Sequence, residues 1–328
     1  MRLAVDVMGG DHAPEPIVRG ALQALVADDE LQLTLVGDQG RIEPMVDLPT
    51  DANKRLTFDH TTDVVGMEES PAHAMRRKPN ASIFRCWTLL AEGKVDGLVS
   101  AGNTGAVVAG GFRTRRFLKG IDRPGIAVTV PTPSGFSVMI DVGANVKPQP
   151  EHLFQYGLMG ASMAKQLFNL DRPMIGLLNV GSEEDKGNEL AKKTQTMFQS
   201  SGLRDSYFGN VEGRDICRGV VDVIVAEGFV GNIALKCCEG MVEFLMSAVG
   251  GELLSTLQVE RDLAARTLHK LHTRYHYSEF GGAPLLGIDG VCLICHGSSD
   301  DKAIRNAVRA AKRYAAVNKS IAEELLAV

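Results

Sequence analysis

Short apolar runs alternate with longer segments of helical periodicity along almost the whole chain, and this alternation is the strongest constraint on its fold. The predicted strands are residues 3–8, 32–36, 97–100, 126–130, 137–142, 174–179, 220–225 and 291–295. The predicted helices are residues 17–27, 83–92, 107–118, 152–168, 189–199, 233–249 and 302–316. The strands lack two-residue alternation, as expected of strands covered on both faces. The pattern predicts a single α/β domain over residues 1–328, with three α/β/α layers and a mostly parallel sheet.

The segment 250–277 interrupts this alternation, because it has helical periodicity and contains no strand. Its apolar residues share one helix face: they are Leu253, Leu257, Ala264, Leu268, Leu271 and Tyr275. Glycine pairs at 250–251 and 281–282 are predicted turns on either side. We predict a helical hairpin over residues 245–280 that projects from the α/β body. Its apolar face needs a cover, which either a second subunit or a membrane surface or acyl chain would provide.

Charge and composition limit the partners and the compartment. The net charge of −5 argues against nucleic acid, because a phosphate backbone attracts a basic surface. The N-terminus enters a predicted strand directly and lacks the pattern of a secretory signal. We therefore expect a cytoplasmic protein whose six cysteines are reduced. No apolar stretch approaches the roughly 20 residues of a membrane span, so contact with the inner face of the cell membrane would be peripheral.

Glycine-rich polar turns follow many of the predicted strands. Such turns let a ligand approach the backbone closely, and the helix that follows offers free N–H groups to an anion. Six turns have this form: residues 6–14, 100–106, 141–145, 179–187, 227–232 and 296–299. In a parallel sheet all of them would open onto one edge, so we expect a single pocket for a small tetrahedral anion. Turns divided between opposite ends of the sheet would contradict this expectation.

In this order the turns resemble those of the bacterial phosphate acyltransferases of the PlsX family. The matching stretches are residues 6–14, 100–106, 141–145, 179–187, 228–236, 281–287 and 296–297, which span nearly the whole chain. The resemblance implies a fold akin to the isocitrate and isopropylmalate dehydrogenases and the phosphotransacetylases, a homodimer, and peripheral membrane association. It implies reversible acyl transfer from acyl carrier protein to inorganic phosphate. The acyl phosphate would pass to a membrane glycerol-3-phosphate acyltransferase for phosphatidic acid synthesis.

Attack of phosphate on a thioester requires capture of the anion and donors for a tetrahedral oxyanion, and it requires no metal or redox cofactor. We expect the catalytic residues to be Asn103, Lys186, Asn232 and His296. We expect the substrate-binding residues to be Asp11, Ser100, Gly102, Thr104, Asn145 and Lys236. His296 and His12 are candidate acids for the leaving thiolate, with a structural role as the alternative. Direct attack is favoured over an acyl-enzyme on Ser100 or a cysteine, because no serine lies in a nucleophile elbow.

An acidic carrier protein needs a basic landing surface. The candidate carrier patch is Arg113, Arg115, Arg116 and Lys119, with Arg123 close by in sequence. A second basic run lies at residues 76–78, and an ordinary solvated surface is the alternative for both. Two other functions are open: a metal- and nicotinamide-dependent decarboxylating dehydrogenase, and a non-catalytic module that docks a carrier or a membrane. For the dehydrogenase, the sequence lacks the required aspartate cluster and nucleotide loop. A docking module would leave the polar turns unexplained.

Overall fold

The computed structural model describes residues 1–275 and 281–327, and the strands of this part form one sheet. They are β1 (Arg2–Asp6), β2 (Gln32–Gly37), β3 (Leu56–His60), β4 (Gly97–Ser100), β5 (Gly125–Thr132), β6 (Gly135–Ile140), β7 (Ile175–Leu178), β8 (Tyr207–Val211), β9 (Val223–Val225), β10 (Ala283–Leu286) and β11 (Val291–Ile294). Their spatial order is β3-β2-β1-β4-β11-β10-β5-β6-β9-β7-β8.

Helices cover both faces of this sheet. They are α1 (Glu15–Ala27), α2 (Gln39–Ile42), α3 (Thr50–Asn53), α4 (Pro71–Arg77), α5 (Ser82–Ala91), α6 (Thr104–Thr114), α7 (Pro150–Phe168), α8 (Glu189–Gln199), α9 (Gly228–Thr256), α10 (Arg261–Tyr275) and α11 (Asp301–Ala327). Apolar side chains of α1, α7 and α11 form one buried cluster with the sheet, and those of α5 and α6 form a second. The predicted three-layer α/β/α architecture is therefore confirmed.

The sheet has two halves whose strands point in opposite directions. Strands β3, β2, β1, β4 and β11 are mutually parallel, and so are β6, β9, β7 and β8. Between these halves, β10 runs antiparallel to β11 and β5, and β5 runs antiparallel to β6. Most pairings are parallel, as predicted. The carboxyl ends of β1, β4 and β11 nevertheless lie at one end of the sheet along the strand direction, whereas those of β6, β9 and β7 lie at the opposite end.

Three strands were absent from the sequence-based prediction. Strands β3 and β8 form the two edges of the sheet, where each has a neighbour on one side only. Their sequences, LTFDH and YFGNV, include polar residues because edge positions are less buried. Strand β10 contains Pro284 and directly follows Gly281 and Gly282, which read as a turn. Its pairing with β11 and with the distant β5, and not its local pattern, makes it a strand.

The projecting hairpin consists of α9 and α10, which pack against each other. The turn predicted at 250–251 is wrong, because both glycines lie inside α9 and the chain turns at 257–260 instead. A glycine costs only about 1 kcal/mol in a helix interior, which the 29-residue run of α9 tolerates. The second predicted turn is confirmed: Gly281 and Gly282 have φ of 79° and 82°. Residues 276–280 of the predicted hairpin lie outside the described residues.

Candidate active site

The polar turns form two groups, one at each end of the sheet along the strand direction. The first rim comprises residues 6–14, 100–106 and 296–299, which follow β1, β4 and β11. The second rim comprises residues 141–145, 179–187 and 227–232, which follow β6, β7 and β9. The expectation of a single pocket formed by all six turns is therefore wrong. The antiparallel β5–β6 hairpin reverses the chain, so β6, β7 and β9 run opposite to β1 and β4, whereas β11 runs parallel to β4.

A buried hydrogen bond organises the first rim. Ser100 Oγ donates to Asp6 Oδ2 at 2.7 Å and accepts from the Gly102 N–H at 3.0 Å. Burial raises the pKa of the Asp6 carboxyl above its ordinary value, although hydrogen bonds from serine hydroxyls oppose that shift. A Cβ atom at Gly9 would lie 2.7 Å from both Asp6 Oδ2 and the Gly102 nitrogen. Ser100 and Gly102 therefore join two closely packed turns.

Asn103 is the N-cap of α6. Its Oδ1 accepts from the Ala106 N–H at 3.0 Å, while its Nδ2 donates to the carbonyls of Met67 at 2.8 Å and Glu69 at 3.0 Å. These bonds engage both ends of the amide, so Asn103 positions the helix and the 66–69 loop. Sequence analysis assigned this residue to catalysis; in the structure the described hydrogen bonds of its amide hold α6 and the 66–69 loop.

The exposed side chains of the first rim include Asp11, His12, Thr104 and His296. The Asp11 N–H donates to the Gly297 carbonyl at 2.8 Å, and His296 Nδ1 lies 2.7 Å from Ser298 Oγ. The turns of this rim contain carboxylates and no lysine or arginine. A phosphate dianion would meet negative charge here without a cationic side chain from the rim itself.

Asp141 organises the second rim. Its Oδ1 accepts from the N–H groups of Ile126 at 3.0 Å, Gly143 at 3.1 Å and Ala144 at 2.9 Å. Its Oδ2 accepts from the Asn145 N–H at 2.7 Å. Burial raises the pKa of the Asp141 carboxyl, and these backbone donors counteract the shift. The carboxylate thus holds the whole 141–145 turn in one conformation.

Asn145 and Asn232 connect this turn to the start of α9. The buried Asn145 side chain donates from Nδ2 to the Pro124 carbonyl at 2.7 Å, and the Asn145 backbone carbonyl accepts from the Gly228 N–H at 2.9 Å. Asn232 is exposed in the first turns of α9, and a Cβ at Gly143 would lie 3.8 Å from its side chain. Asn145 is therefore a positioning residue, whereas Asn232 is free to face a ligand.

Lys186 and Lys236 differ in their available charge. Lys186 is exposed in the 179–187 turn, and the described part of the chain places no carboxylate within ion-pair distance of it. Lys236 Nζ forms an ion pair with Glu239 at 2.6 Å. The turn that carries Lys186 is held by Asn210 Nδ2, which donates to the Glu183 carbonyl at 2.8 Å. Lys186 is therefore the stronger candidate ligand for a phosphate.

The candidate carrier patch lies at the same end of the sheet, along the strand direction, as the second rim. Helix α6 begins at the carboxyl end of β4 and returns toward its amino end, where Arg115 ends the helix in a left-handed conformation with φ of 50°. The following segment leads into β5 through Pro124, the acceptor of the Asn145 side chain. Arg115 and Lys119 are exposed at this end of the sheet.

Other members of the patch are partly occupied. Arg116 forms an ion pair with Asp289 at 3.1 Å, and Arg113 Nη1 donates to the Pro79 carbonyl at 3.1 Å. The Arg123 guanidinium lies 4.6 Å from the centre of the Phe112 ring. The positive charge most available to a partner therefore comes from Arg115 and Lys119.

Sequence analysis missed the residues that organise both rims, Asp6 and Asp141. Each is an aspartate at the end of an apolar strand, directly before a glycine-containing turn. This position in the sequence could have identified them, because a buried carboxylate there can accept hydrogen bonds from the N–H groups of the turn. Among the described residues there is no cluster of three or more His, Cys, Asp or Glu side chains suited to a metal ion. None of the described helices is long and apolar enough to cross a membrane.

Known proteins resemble this chain over nearly its full length. Residues 1–322 match the family described as fatty acid synthesis protein. A phosphate acyltransferase from Heliobacterium modesticaldum is 45% identical over 316 residues, which cover 95% of this chain and 93% of that protein. One from Geotalea uraniireducens is 43% identical over 329 residues, covering 99% and 94%.

The fold is also found in solved structures of low sequence identity. A phosphotransacetylase from Streptococcus pyogenes superposes with a TM-score of 0.63 at 15% identity, covering 99% of this chain and 94% of that one. A branched-chain phosphotransacylase from Enterococcus faecalis gives a TM-score of 0.54 at 18% identity, covering 95% and 98%. The chain therefore belongs to the fatty acid synthesis protein family, and it is an acyltransferase related to the phosphate acyltransferases.

Proposed function

We propose that this enzyme reversibly transfers a fatty acyl group from acyl carrier protein to inorganic phosphate, giving an acyl phosphate for phospholipid synthesis. The observation that carries the proposal is the position of two exposed donors at the second rim: Lys186 in the 179–187 turn after β7, and Asn232 near the start of α9 after the neighbouring β9. Relatives at 43–45% identity named phosphate acyltransferase support the same reaction class.

The second rim offers what direct attack by phosphate needs. The Lys186 ammonium group and the N-terminal end of α9 attract the dianion and orient one of its oxygens toward the thioester carbonyl. That oxygen forms the new C–O bond, and the carbonyl oxygen becomes a tetrahedral oxyanion to which Asn232 Nδ2 donates. Collapse of the intermediate breaks the C–S bond and releases the carrier thiolate. A thiol has an ordinary pKa of about 8.5, so water suffices to protonate it.

The histidines do not fit the acid role in this scheme. His12 and His296 belong to the first rim, at the opposite end of the sheet from Lys186 and Asn232. In this scheme Asp11, Ser100, Gly102 and Thr104, which also belong to the first rim, do not bind the phosphate. No cofactor enters the proposed reaction.

Two surfaces of the protein are proposed to bind partners: the carrier patch binds the carrier protein, and the exposed face of α9 contacts a second subunit and the membrane. Arg115 and Lys119 present positive charge to the acidic carrier. Helix α9 exposes large apolar side chains, including Met241 and Phe244, of which Phe244 is 64% exposed. These exposed apolar residues favour a homodimer and a peripheral contact with the membrane. At the membrane, the acyl phosphate passes to a glycerol-3-phosphate acyltransferase.

One assay tests the reaction. Purified protein is mixed with acyl carrier thioester and phosphate, free thiol is measured, and acyl phosphate is trapped with hydroxylamine. Thiol release that depends on phosphate supports the proposal, and nicotinamide cofactor should change nothing. Release without phosphate, or none at all, would overturn it in favour of a hydrolase or a non-catalytic docking module.

A further inference from the structure

A polar cavity of about 690 Å³ lies between α8, the edge strand β8 and the 179–187 turn. We call it the β8 cavity; its wall includes Ser182, Glu184, Gln195, Arg204, Tyr207 and Asn210. Its volume falls within the range of small-molecule sites, about 300–1,000 Å³. It lies apart from the first rim and shares only the 179–187 turn with the second.

Three residues of this wall each carry a buried side-chain oxygen that lacks a hydrogen-bond partner within the described part of the chain: Gln195 Oε1, Tyr207 Oη and Asn210 Oδ1. Gln195 is 8% exposed and Asn210 is 4% exposed. A buried polar group without a partner costs about 1–3 kcal/mol, so several on one cavity indicate a ligand that supplies the missing bonds. The two amide oxygens accept only, which selects a ligand with N–H or O–H donors.

Tyr207 adds a donor of fixed orientation. Its ring stacks on Phe198 with centroids 4.7 Å apart and 9° between the planes. Burial, helped by the nearby Glu184 carboxylate, raises the pKa of the Tyr207 phenol, so the hydroxyl stays protonated. The cavity therefore combines two acceptors with one hydroxyl that can donate to a carbonyl.

The cavity is connected to the proposed phosphate site. Ser182 and Glu184 of its wall belong to the turn that carries Lys186, and Asn210 Nδ2 holds that turn through the Glu183 carbonyl at 2.8 Å. Arg204 lies at the wall, exposed and without an ion pair in the described residues. A ligand in the cavity would thus have a cation beside it and the phosphate site close by.

We infer that the β8 cavity binds the pantetheine-type arm of the thioester donor, a chain with two amides and a hydroxyl. Its amide N–H groups would donate to Gln195 and Asn210, a carbonyl would accept from Tyr207, and Arg204 would pair with the phosphodiester that joins the arm to a carrier. This inference rests on the proposed function, because it places the arm of that reaction's substrate.

Binding of unacylated ligands tests the inference without turnover. Calorimetry would compare pantetheine with 4′-phosphopantetheine on the wild type, Gln195→Met, Tyr207→Phe and Arg204→Gln. Loss of one hydrogen bond predicts a Kd about tenfold higher for both ligands in Gln195→Met and Tyr207→Phe. Arg204→Gln should weaken 4′-phosphopantetheine only, and the exposed Arg309→Gln should weaken neither.

Two further readouts separate binding from folding and from catalysis. Gln195→Met replaces a side chain whose buried amide oxygen lacks a partner by an isosteric apolar chain, so its melting temperature without ligand should equal or exceed that of the wild type. Unchanged pantetheine affinity in Gln195→Met and Tyr207→Phe, or no pantetheine binding by the wild type, would overturn the inference. A wild type that binds pantetheine but releases no thiol with phosphate would instead overturn the proposed function and leave the cavity assignment standing.

Discussion

Asn145 donates its side-chain amide to the Pro124 carbonyl at 2.7 Å and so joins the second rim to the segment that carries the carrier patch. Since Asn145 is 8% exposed, its removal leaves a buried carbonyl without a partner. We expect Asn145→Ala to lower the free energy of unfolding by about 1–3 kcal/mol. Chemical denaturation measures this, with the exposed Asn53→Ala as a control. An equal loss in both variants would contradict the assigned role.

Lys186 and Lys236 should differ in their importance for phosphate. We expect Lys186→Gln to lower kcat/KM for phosphate by about 100-fold, because a charge-assisted contact to the dianion is lost. Lys236→Gln should change it less than threefold, because the Lys236 charge is already paired with Glu239. Steady-state kinetics with varied phosphate measure both, with Lys193→Gln on α8 as a control. A larger effect at Lys236 would reverse the assignment.

Asn232 should act on the transition state. Removal of an oxyanion donor typically costs about 10²–10³ in kcat, so we expect Asn232→Ala to lose activity in that range with little change in the KM for phosphate. Asn232→Asp keeps the shape but cannot donate when ionised, and it should be at least as impaired. Full activity in Asn232→Asp would exclude donation by this side chain.

The carrier patch predicts a substrate-specific effect. Reversing charge in Arg115→Glu and Lys119→Glu should raise the KM for acyl carrier protein about tenfold, since electrostatic complementarity is lost. The KM for phosphate should stay constant, and the effect should shrink with added salt. Equal changes for both substrates would point to a folding defect, which thermal melting would detect.

Two thiols give a pH-dependent prediction. A hydrogen bond with the Cys238 thiol lowers the pKa of Cys217 to about 7, and the same contact raises the pKa of Cys238. Because the thiolate is the reactive form, alkylation of Cys217 by iodoacetamide should reach half its maximal rate near pH 7. In Cys238→Ala this midpoint should move upward. Peptide mass spectrometry identifies the modified residue, and an unchanged midpoint would exclude the contact as the cause.

Part of the candidate site could be predicted from the sequence because its residues follow a local pattern. Lys186 and Asn232 both lie near glycines after apolar strands, Lys186 in a turn and Asn232 in the first turns of α9, and this pattern can be recognised from a few neighbouring residues. The same pattern selected Asn103 and Asn145, whose amides prove to be engaged with backbone groups. A polar residue in a turn has the same local sequence pattern whether its side chain faces solvent or bonds to a neighbouring carbonyl. The sequence does not separate the two cases, because burial depends on residues far along the chain.

The sequence by itself determined the α/β class, nearly all of the long helices and the chemistry of each turn, because hydrophobic period and turn preference are local properties. Only the tertiary structure decided which turns lie at the same end of the sheet. Strand β10 joins the two halves by pairing Leu285 with Ile126 and Pro284 with Leu293, and β6 folds back on β5. Strand direction is set in part by pairings between residues far apart in the chain, such as Leu285 with Ile126, and these leave no periodic signal in the sequence.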